Sequence, residues 1–205
     1  MVGNVGSQLL VLPGTSGVAV LFTAAPADST TLAQLGLATG RPAVAANDAG
    51  DQPGPPASLQ RVTVFGAVHV RELGLASEVI FVDAAVTERH QVGCVRFSYV
   101  PDDLSLTPRR YRCQPDSALN GVTDPAQQAA IRLRLEPAFA STRYGDPAYA
   151  QLSLACANEI RTGAEDGSEM GAFCFLKQPQ RATSLRVRLQ EYLPFGLEPG
   201  LIYVT

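Results

Sequence analysis

Valine-rich alternation is the strongest pattern in the chain, and it lies between residues 58 and 100. In parts of this segment every second residue is a valine, which is the period of a β-strand. One side of the predicted strands carries Val62, Val64, Val68 and Val70. Gly66 falls inside this alternation, where a bend or bulge would fit. A second pass follows, with residues 79–82, then 86–87, then 95–99. The pattern predicts short strands throughout this part of the chain.

The predicted strands recur at a nearly regular step. Aligning Phe65 with Phe81 gives a step of 16 residues, and aligning Val68 with Val86 gives 18. Residues 73–76 are small or aliphatic, and we interpret them as a corner between strands. This recurrence predicts the rungs of a short right-handed parallel β-helix in a β-rich chain. An ordinary antiparallel meander would show the same alternation.

The number of rungs matters for function. Forty-odd residues make about two rungs, whereas a solenoid generally needs about three or more with covered ends. Bare terminal rungs would present unpaired strand edges and apolar faces. We therefore expect flanking segments, a longer parent chain or another subunit to cover them, and each option indicates assembly rather than catalysis.

The remaining chain divides by pattern and composition. Residues 1–40 predict a small β-hairpin plus helix segment, with strands at 8–12 and 18–22 and a short helix near 31–35. Residues 41–57 are rich in Pro, Gly, Ala and Asp, which predicts a linker. We assign 58–113 to the short β-helix and 114–205 to a C-terminal α+β region that caps it.

Within the C-terminal region, Asp124 and Pro125 predict the start of a short helix. Residues 131–135 alternate as a strand would, and 201–204 predict a last strand. The clearest helix lies near 179–193, because three large side chains follow helical spacing: Leu185, Leu189 and Tyr192.

Composition narrows the function classes. The chain has 205 residues, of which 46% are apolar and 17% charged, and its 18 Gly and 15 Pro favour turns and short strands. A net charge of -3, with Lys177 as the single lysine, argues against a nucleic-acid binder. No apolar run approaches the roughly 18 residues that span a bilayer. No secretory signal is recognised, so we expect synthesis in the cytoplasm.

The four cysteines carry no metal or redox motif. Cys94, Cys113, Cys156 and Cys174 include no C-x-x-C pair, and they allow three disulfide pairings among which the sequence does not choose. Buried free thiols are the favoured interpretation.

Several segments together resemble a known family. They are residues 64–73, 93–101, 109–115, 144–147 and 166–171. In these segments the chain, over about residues 58–205, resembles the C-terminal part of large bacterial β-helix proteins encoded beside phage-tail-like contractile injection systems. The resemblance implies a spike, fibre or baseplate-associated component that contacts other particle subunits or itself, in a particle released from the cell. It brings no catalytic residue with it.

Two polar clusters are candidate sites. Arg109, Arg110, Tyr111 and Arg112 are candidate anion or interface contacts, because guanidinium groups bind carboxylate and phosphate bidentately. Pairing of these arginines with Asp102 and Asp103, which would fix the loop to the solenoid edge, is favoured. A second cluster offers oxygen ligands for a cation, although it lacks the calcium-loop pattern, and it is otherwise expected to be a hydrated loop: Glu165, Asp166 and Glu169.

The sequence shows no catalytic constellation. His69 and His90 stand alone, and neither a G-x-S-x-G elbow nor a glycine-rich phosphate loop is present. We predict a structural or interaction component of a phage-tail-like particle, with no enzyme activity and no cofactor. The alternative is a carbohydrate-binding or carbohydrate-cleaving tailspike-like module, for which Asp83, Asp102 and Asp103 are the candidate carboxylates. A general binding module unrelated to such particles is a third hypothesis.

Overall fold

The fold is known from a computed structural model, which describes residues 2–5, 8–11, 19–21, 42–47, 49–101 and 105–201. The chain is β-rich and contains a parallel β-solenoid of about three turns, with a few helices in the C-terminal region. The strands are β1 Val2–Val5, β2 Gln8–Val11, β3 Ala19–Leu21, β4 Ala57–Gln60, β5 Val62–Val64, β6 Val68–Val70, β7 Leu73–Ser77, β8 Ile80–Phe81, β9 Ala85–Thr87, β10 Cys94–Arg96 and β11 Arg110–Tyr111. The helices are α1 Asp116–Leu119, α2 Pro125–Leu135, α3 Asn158–Arg161 and α4 Gln178–Tyr192, with a 3-10 turn at Cys174–Leu176.

The solenoid has three parallel faces. Face one is the sheet β4-β7-β10-β11, and face two contains β5 and β8 with β3 beside β5. Face three is the pair β6-β9. Single bridges continue these faces where no strand is assigned: Ile80 to Tyr99 and Tyr99 to Gln114 on face two, and Val86 to Leu106 on face three. The parallel β-helix predicted from the alternation is therefore confirmed, and the antiparallel meander is wrong for this part of the chain.

The register differs from the predicted alignment by one residue. Phe81 pairs with Val64, and Val68 pairs with Ala85, so both steps are 17 residues. Val64 and Phe81 point into the solenoid, whereas Phe65 lies on the other side, with its ring centroid 5.0 Å from that of Phe139. The alignment of the two phenylalanines was wrong because it matched residues from opposite sides of the sheet, which a one-residue slip exchanges.

Two further details of the solenoid were also predicted wrongly. Residues 73–76 belong to strand β7 rather than to a corner, and the turns number about three rather than two. Gly66 does form a bend between β5 and β6, with φ at 112°, a conformation open to glycine.

The solenoid interior is a column of stacked apolar side chains. Its buried members are Ala43, Val62, Val64, Val68, Val70, Leu73, Ala76, Val79, Phe81, Ala85, Val95, Val100 and Cys113. Burying a side chain the size of Phe81 contributes about 1.5–3 kcal/mol, so this column is the main source of stability for the turns.

A second core joins the C-terminal region to the outside of face two. The side chains of Ile80 and Tyr99 point away from the solenoid interior. They pack against Leu152, Ile160 and Met170. The backbone N–H of Ala172 donates a hydrogen bond of 3.0 Å to Thr63 Oγ1 on the same face. The C-terminal region therefore packs along the flank of the solenoid.

Two segments differ from their predictions. Residues 131–135 lie in helix α2, whose N-cap Asp124 accepts a hydrogen bond from the backbone of Ala126, so the predicted strand is wrong. Its alternating leucines resemble a strand, but Leu133 is exposed and Leu135 buried. The segment predicted to be a linker, 41–57, instead packs on the first turn of the solenoid. Val44 forms a parallel β-bridge with Val68, and the Gly54 N–H donates a 2.8 Å hydrogen bond to His69 O.

The N-terminal strands extend face two. Strands β2 and β3 pair antiparallel, as the predicted hairpin requires, and β1 adds a further antiparallel strand. Strand β3 then runs parallel to β5, so this small sheet joins the solenoid. The predicted helix near 31–35 and residues 202–204 of the predicted last strand lie outside the described residues.

Candidate functional site

The predicted arginine motif lies on the last turn of the solenoid. By strand register, Arg110 stands directly after Val95, Ala76 and Leu59 in one inward-facing position of face one. In the earlier turns this position is apolar and packs in the core. The core column therefore ends in a guanidinium group.

Arg110 is held by several acceptors. Its side chain is only 16% exposed, and Nη1 lies 3.1 Å from Asp116 Oδ1. It also donates hydrogen bonds to Thr107 Oγ1 at 2.8 Å and to the carbonyl of Ser105 at 3.1 Å. Arg110 thus closes the solenoid interior and ties the last turn to α1. Asp102 and Asp103, the partners expected for these arginines, lie outside the described residues.

The neighbouring members of the motif are more exposed. The Arg112 guanidinium lies 5.8 Å from the Tyr111 ring centroid, and that ring meets Phe97 edge-on at 5.7 Å. Arg109 is exposed. Arg112 and Tyr111 form a cation–π contact at the solenoid edge, and Phe97 packs on the same ring.

An open, polar cleft of about 540 Å³ adjoins this motif, and we call it the end cleft. Its lining residues come from the last turn, α1, α2 and the loop between the two helices: Arg110, Arg112, Cys113, Asp116, Ser117, Leu119, Asn120, Gly121, Gln128 and Arg132. Three arginines face one aspartate there, so the cleft has an excess of positive charge and favours an anionic group. Arg132 was not predicted, because it lies on α2, 20 residues beyond Arg112.

The second candidate surface is helix α4. The predicted helix near 179–193 is confirmed at Gln178–Tyr192, yet it has no buried residue. Its apolar stripe is largely uncovered, since Leu185 is 46% and Tyr192 82% exposed. Phe195 just after the helix is fully exposed and Leu197 is exposed as well.

The acidic loop does not gather its carboxylates. Glu165 lies 3.5 Å from Arg96, and Asp166 lies 3.2 Å from Lys177. A hydrogen bond from the Ser168 hydroxyl is the main cause that lowers the pKa of Asp166 to about 2. Among the described residues, no group of three or more His, Cys, Asp or Glu could hold a metal ion.

Glu169 is buried, so the expectation that the whole acidic loop is hydrated is wrong. This residue is only 4% exposed, and burial raises the pKa of its carboxyl to about 7, although Arg161 opposes the shift. It lines a cavity of about 370 Å³, which we call the Glu169 pocket. Nothing in the local sequence indicates this burial, because the pocket walls come from residues 139–182.

The other predicted residues occupy structural positions. His69 Nδ1 lies 2.8 Å from the carbonyl of Gly50, and His90 Nδ1 lies 3.3 Å from Thr87 Oγ1. Asp83 accepts a hydrogen bond from the adjacent Ala84 N–H at a corner. The other two carboxylates of the carbohydrate hypothesis, Asp102 and Asp103, lie outside the described residues, so that hypothesis stays a prediction.

All four cysteines are free, and three of them are buried: Cys113, Cys156 and Cys174. Burial raises the pKa of the Cys113 thiol to about 11, so it is an unreactive core thiol. No helix in the described part of the chain is both long and apolar enough to cross a bilayer.

Comparison with protein-family models, with curated proteins and with solved structures finds no match to this chain.

Proposed function

We propose that this chain is a structural and interaction component of a phage-tail-like contractile particle, associated with its spike, fibre or baseplate. The kind of particle is inferred from the resemblance of residues 58–205 to the C-terminal part of bacterial β-helix proteins encoded beside such particles. The interaction role is supported by one observation, which is that α4 has no buried residue.

A helix whose apolar stripe is uncovered is not stable by itself. Helix α4 has 15 residues, near the length at which isolated helices are only marginal in water. Its N-cap residue Lys177 makes no side-chain capping bond, and its last turn carries no basic residue. Most helical stability in proteins comes from packing of an apolar face, so the uncovered stripe of α4 fits a helix that docks on a partner.

The helix also indicates the chemistry of that partner. Arg181, Arg186 and Arg188 outnumber Glu191, so the helix carries about two positive charges in a chain of net charge -3. Leu185, Leu189 and Tyr192 lie within about 60° of one another around the helix axis. The partner is therefore a particle subunit with an apolar groove rimmed by acidic side chains.

The experiment is co-purification of the tagged chain with the subunits encoded beside it. Replacing Leu185→Asp and Leu189→Asp together places two charges in the apolar stripe and should abolish co-purification. The matched control is Thr183→Asp with Gln190→Asp, which adds the same charges to the opposite side of the helix. The control should still bind.

Both variants should keep the melting temperature of the wild type, because no residue of α4 is buried. A wild-type chain that remains a monodisperse monomer in the presence of those subunits contradicts the proposal. Equal binding by the stripe variant and its control contradicts the role of α4.

A further inference from the structure

The Glu169 pocket has the features of a small binding site. Its volume of about 370 Å³ lies in the range of small-molecule sites. One part of its wall is apolar, formed by Phe139, Leu152, Leu154 and Ala182. The other part is polar, formed by Gln151, Ser153, Arg161, Glu169 and Gln178.

Glu169 is the unusual member of this wall. Its Oε1 atom is buried and accepts no hydrogen bond from any described residue. A buried carboxylate oxygen without a donor is costly, and a hydrogen-bonded cation is a partner that offsets this cost.

The surrounding elements do not supply that cation. On α3, Arg161 donates a hydrogen bond of 3.3 Å to the carbonyl of Leu154. Its charge lowers the pKa of Glu169, but it donates no hydrogen bond to Glu169 Oε1. Cys156, which precedes α3, is the other titratable group near Glu169, and burial raises its pKa. The pocket residues from 139–154 and from α4 are uncharged.

We propose that the Glu169 pocket binds the alkylammonium group of a small amine. The ammonium donates to the Glu169 carboxylate, and its methylene stem lies against Phe139, Leu152 and Leu154. Gln151, Ser153 and Gln178 offer further acceptors for the remaining ammonium protons. The pocket shares Gln178 and Ala182 with α4 but includes none of the apolar stripe at Leu185, Leu189 and Tyr192, so this proposal does not rest on the docking of α4.

Proton linkage gives a sharp test, because the free carboxyl has a pKa of about 7. Its ionised fraction falls from about 90% near pH 8 to about 3% near pH 5.5, while an alkylammonium stays charged. Calorimetric titration with n-butylammonium chloride should therefore show about thirtyfold weaker binding near pH 5.5, and proton release near pH 7. Titration with n-butanol, which has the same stem without the charge, should show no pH dependence.

Two variants of the full chain complete the experiment. Glu169→Gln keeps the shape and should lose the pH-dependent binding of n-butylammonium, whereas Glu165→Gln, in the same loop but paired with Arg96, should behave as the wild type. Far-ultraviolet circular dichroism checks that both variants are folded. The proposal is overturned by affinity that does not change with pH, by unchanged affinity in Glu169→Gln, or by no binding at about 10 mM probe near pH 8.

Discussion

Four residues adopt the left-handed backbone conformation at one corner of the solenoid, and none of them is glycine. Arg61, Glu78, Phe97 and Arg112 have φ between 47° and 58° and occupy equivalent positions after β4, β7, β10 and β11. This conformation costs about 1–2 kcal/mol per residue. Contacts along the corner compensate, including the 2.8 Å ion pair between Arg61 and Glu78. Sequence reading missed this corner because neither glycine nor asparagine marks it.

Glycine is required where the C-terminal region meets face two. A Cβ at Gly171 would lie 2.5 Å from Thr63 Oγ1 and 2.8 Å from Ile80 Cδ1, and φ there is 88°. Gly171→Ala should therefore lower the free energy of unfolding by about 3 kcal/mol or more, the sum of backbone strain and overpacking. Urea denaturation measures this change.

Gly121→Ala separates the two causes. Gly121 has a similar φ of 83°, but a Cβ there meets nothing within 4 Å. This variant should lose only about 1 kcal/mol. Equal losses in the two variants would show that crowding at the second core is unimportant.

At the scale of the element, the solenoid interior becomes more polar from turn to turn. The first turn presents Val62, Val64, Val68 and Val70, whereas the third has Ser98 and Ser105 at buried positions. The partial fourth turn contributes Arg110 and Cys113. Valine alternation therefore indicates two passes rather than three, because hydroxyl groups replace apolar side chains at some positions of the third turn.

These buried hydroxyls complete the hydrogen bonding of the stack. Ser98 Oγ accepts a 3.0 Å hydrogen bond from the Val79 N–H and donates to the carbonyl of Arg96 at 2.7 Å. Ser98→Ala would leave a buried N–H without an acceptor and should lower the free energy of unfolding by about 1–3 kcal/mol. Ser58→Ala is the control, since Ser58 is exposed, and it should change stability by less than about 0.5 kcal/mol. Thermal denaturation of both variants tests the difference, and an equal effect contradicts the role given to Ser98.

The candidate sites were predictable only where they are local in sequence. The arginine motif is contiguous, so its position and charge could be read directly, and helix α4 followed from its 3.6-residue spacing. The Glu169 pocket unites residues from 139 to 182, and Glu169 itself reads as one more acid in a polar loop. Its burial depends on packing between segments, which a pattern along the chain does not contain.

At the scale of the whole molecule, face two is the junction between both cores. Val79 and Phe81 point into the solenoid, and Ile80 points into the second core, so all three are buried. Strands covered on both sides show continuous apolar runs, which explains the sequence Val79-Ile80-Phe81. The solenoid and the region 136–176 should unfold together for this reason.

Helix α4 should be dispensable for this cooperative unit. A chain ending at Arg181 keeps the Gln180 hydrogen bond to the Asp166 carbonyl and removes most of the uncovered helix. Its melting temperature should lie within about 2 °C of the full chain, since no buried side chain is lost from the helix. Differential scanning calorimetry checks this expectation, and a large drop would show that α4 stabilises the fold itself.

The position of Arg110 also sets a limit on growth. A further turn, or the end of a second copy, stacked beyond β11 would have to enclose the ion pair of Arg110 and Asp116 away from water, and burying such a pair brings a large desolvation penalty. Fibres formed by repeated head-to-tail addition at this end are therefore disfavoured. A partner that meets this terminus is therefore expected to contact the sides of the last turn rather than to extend its stack.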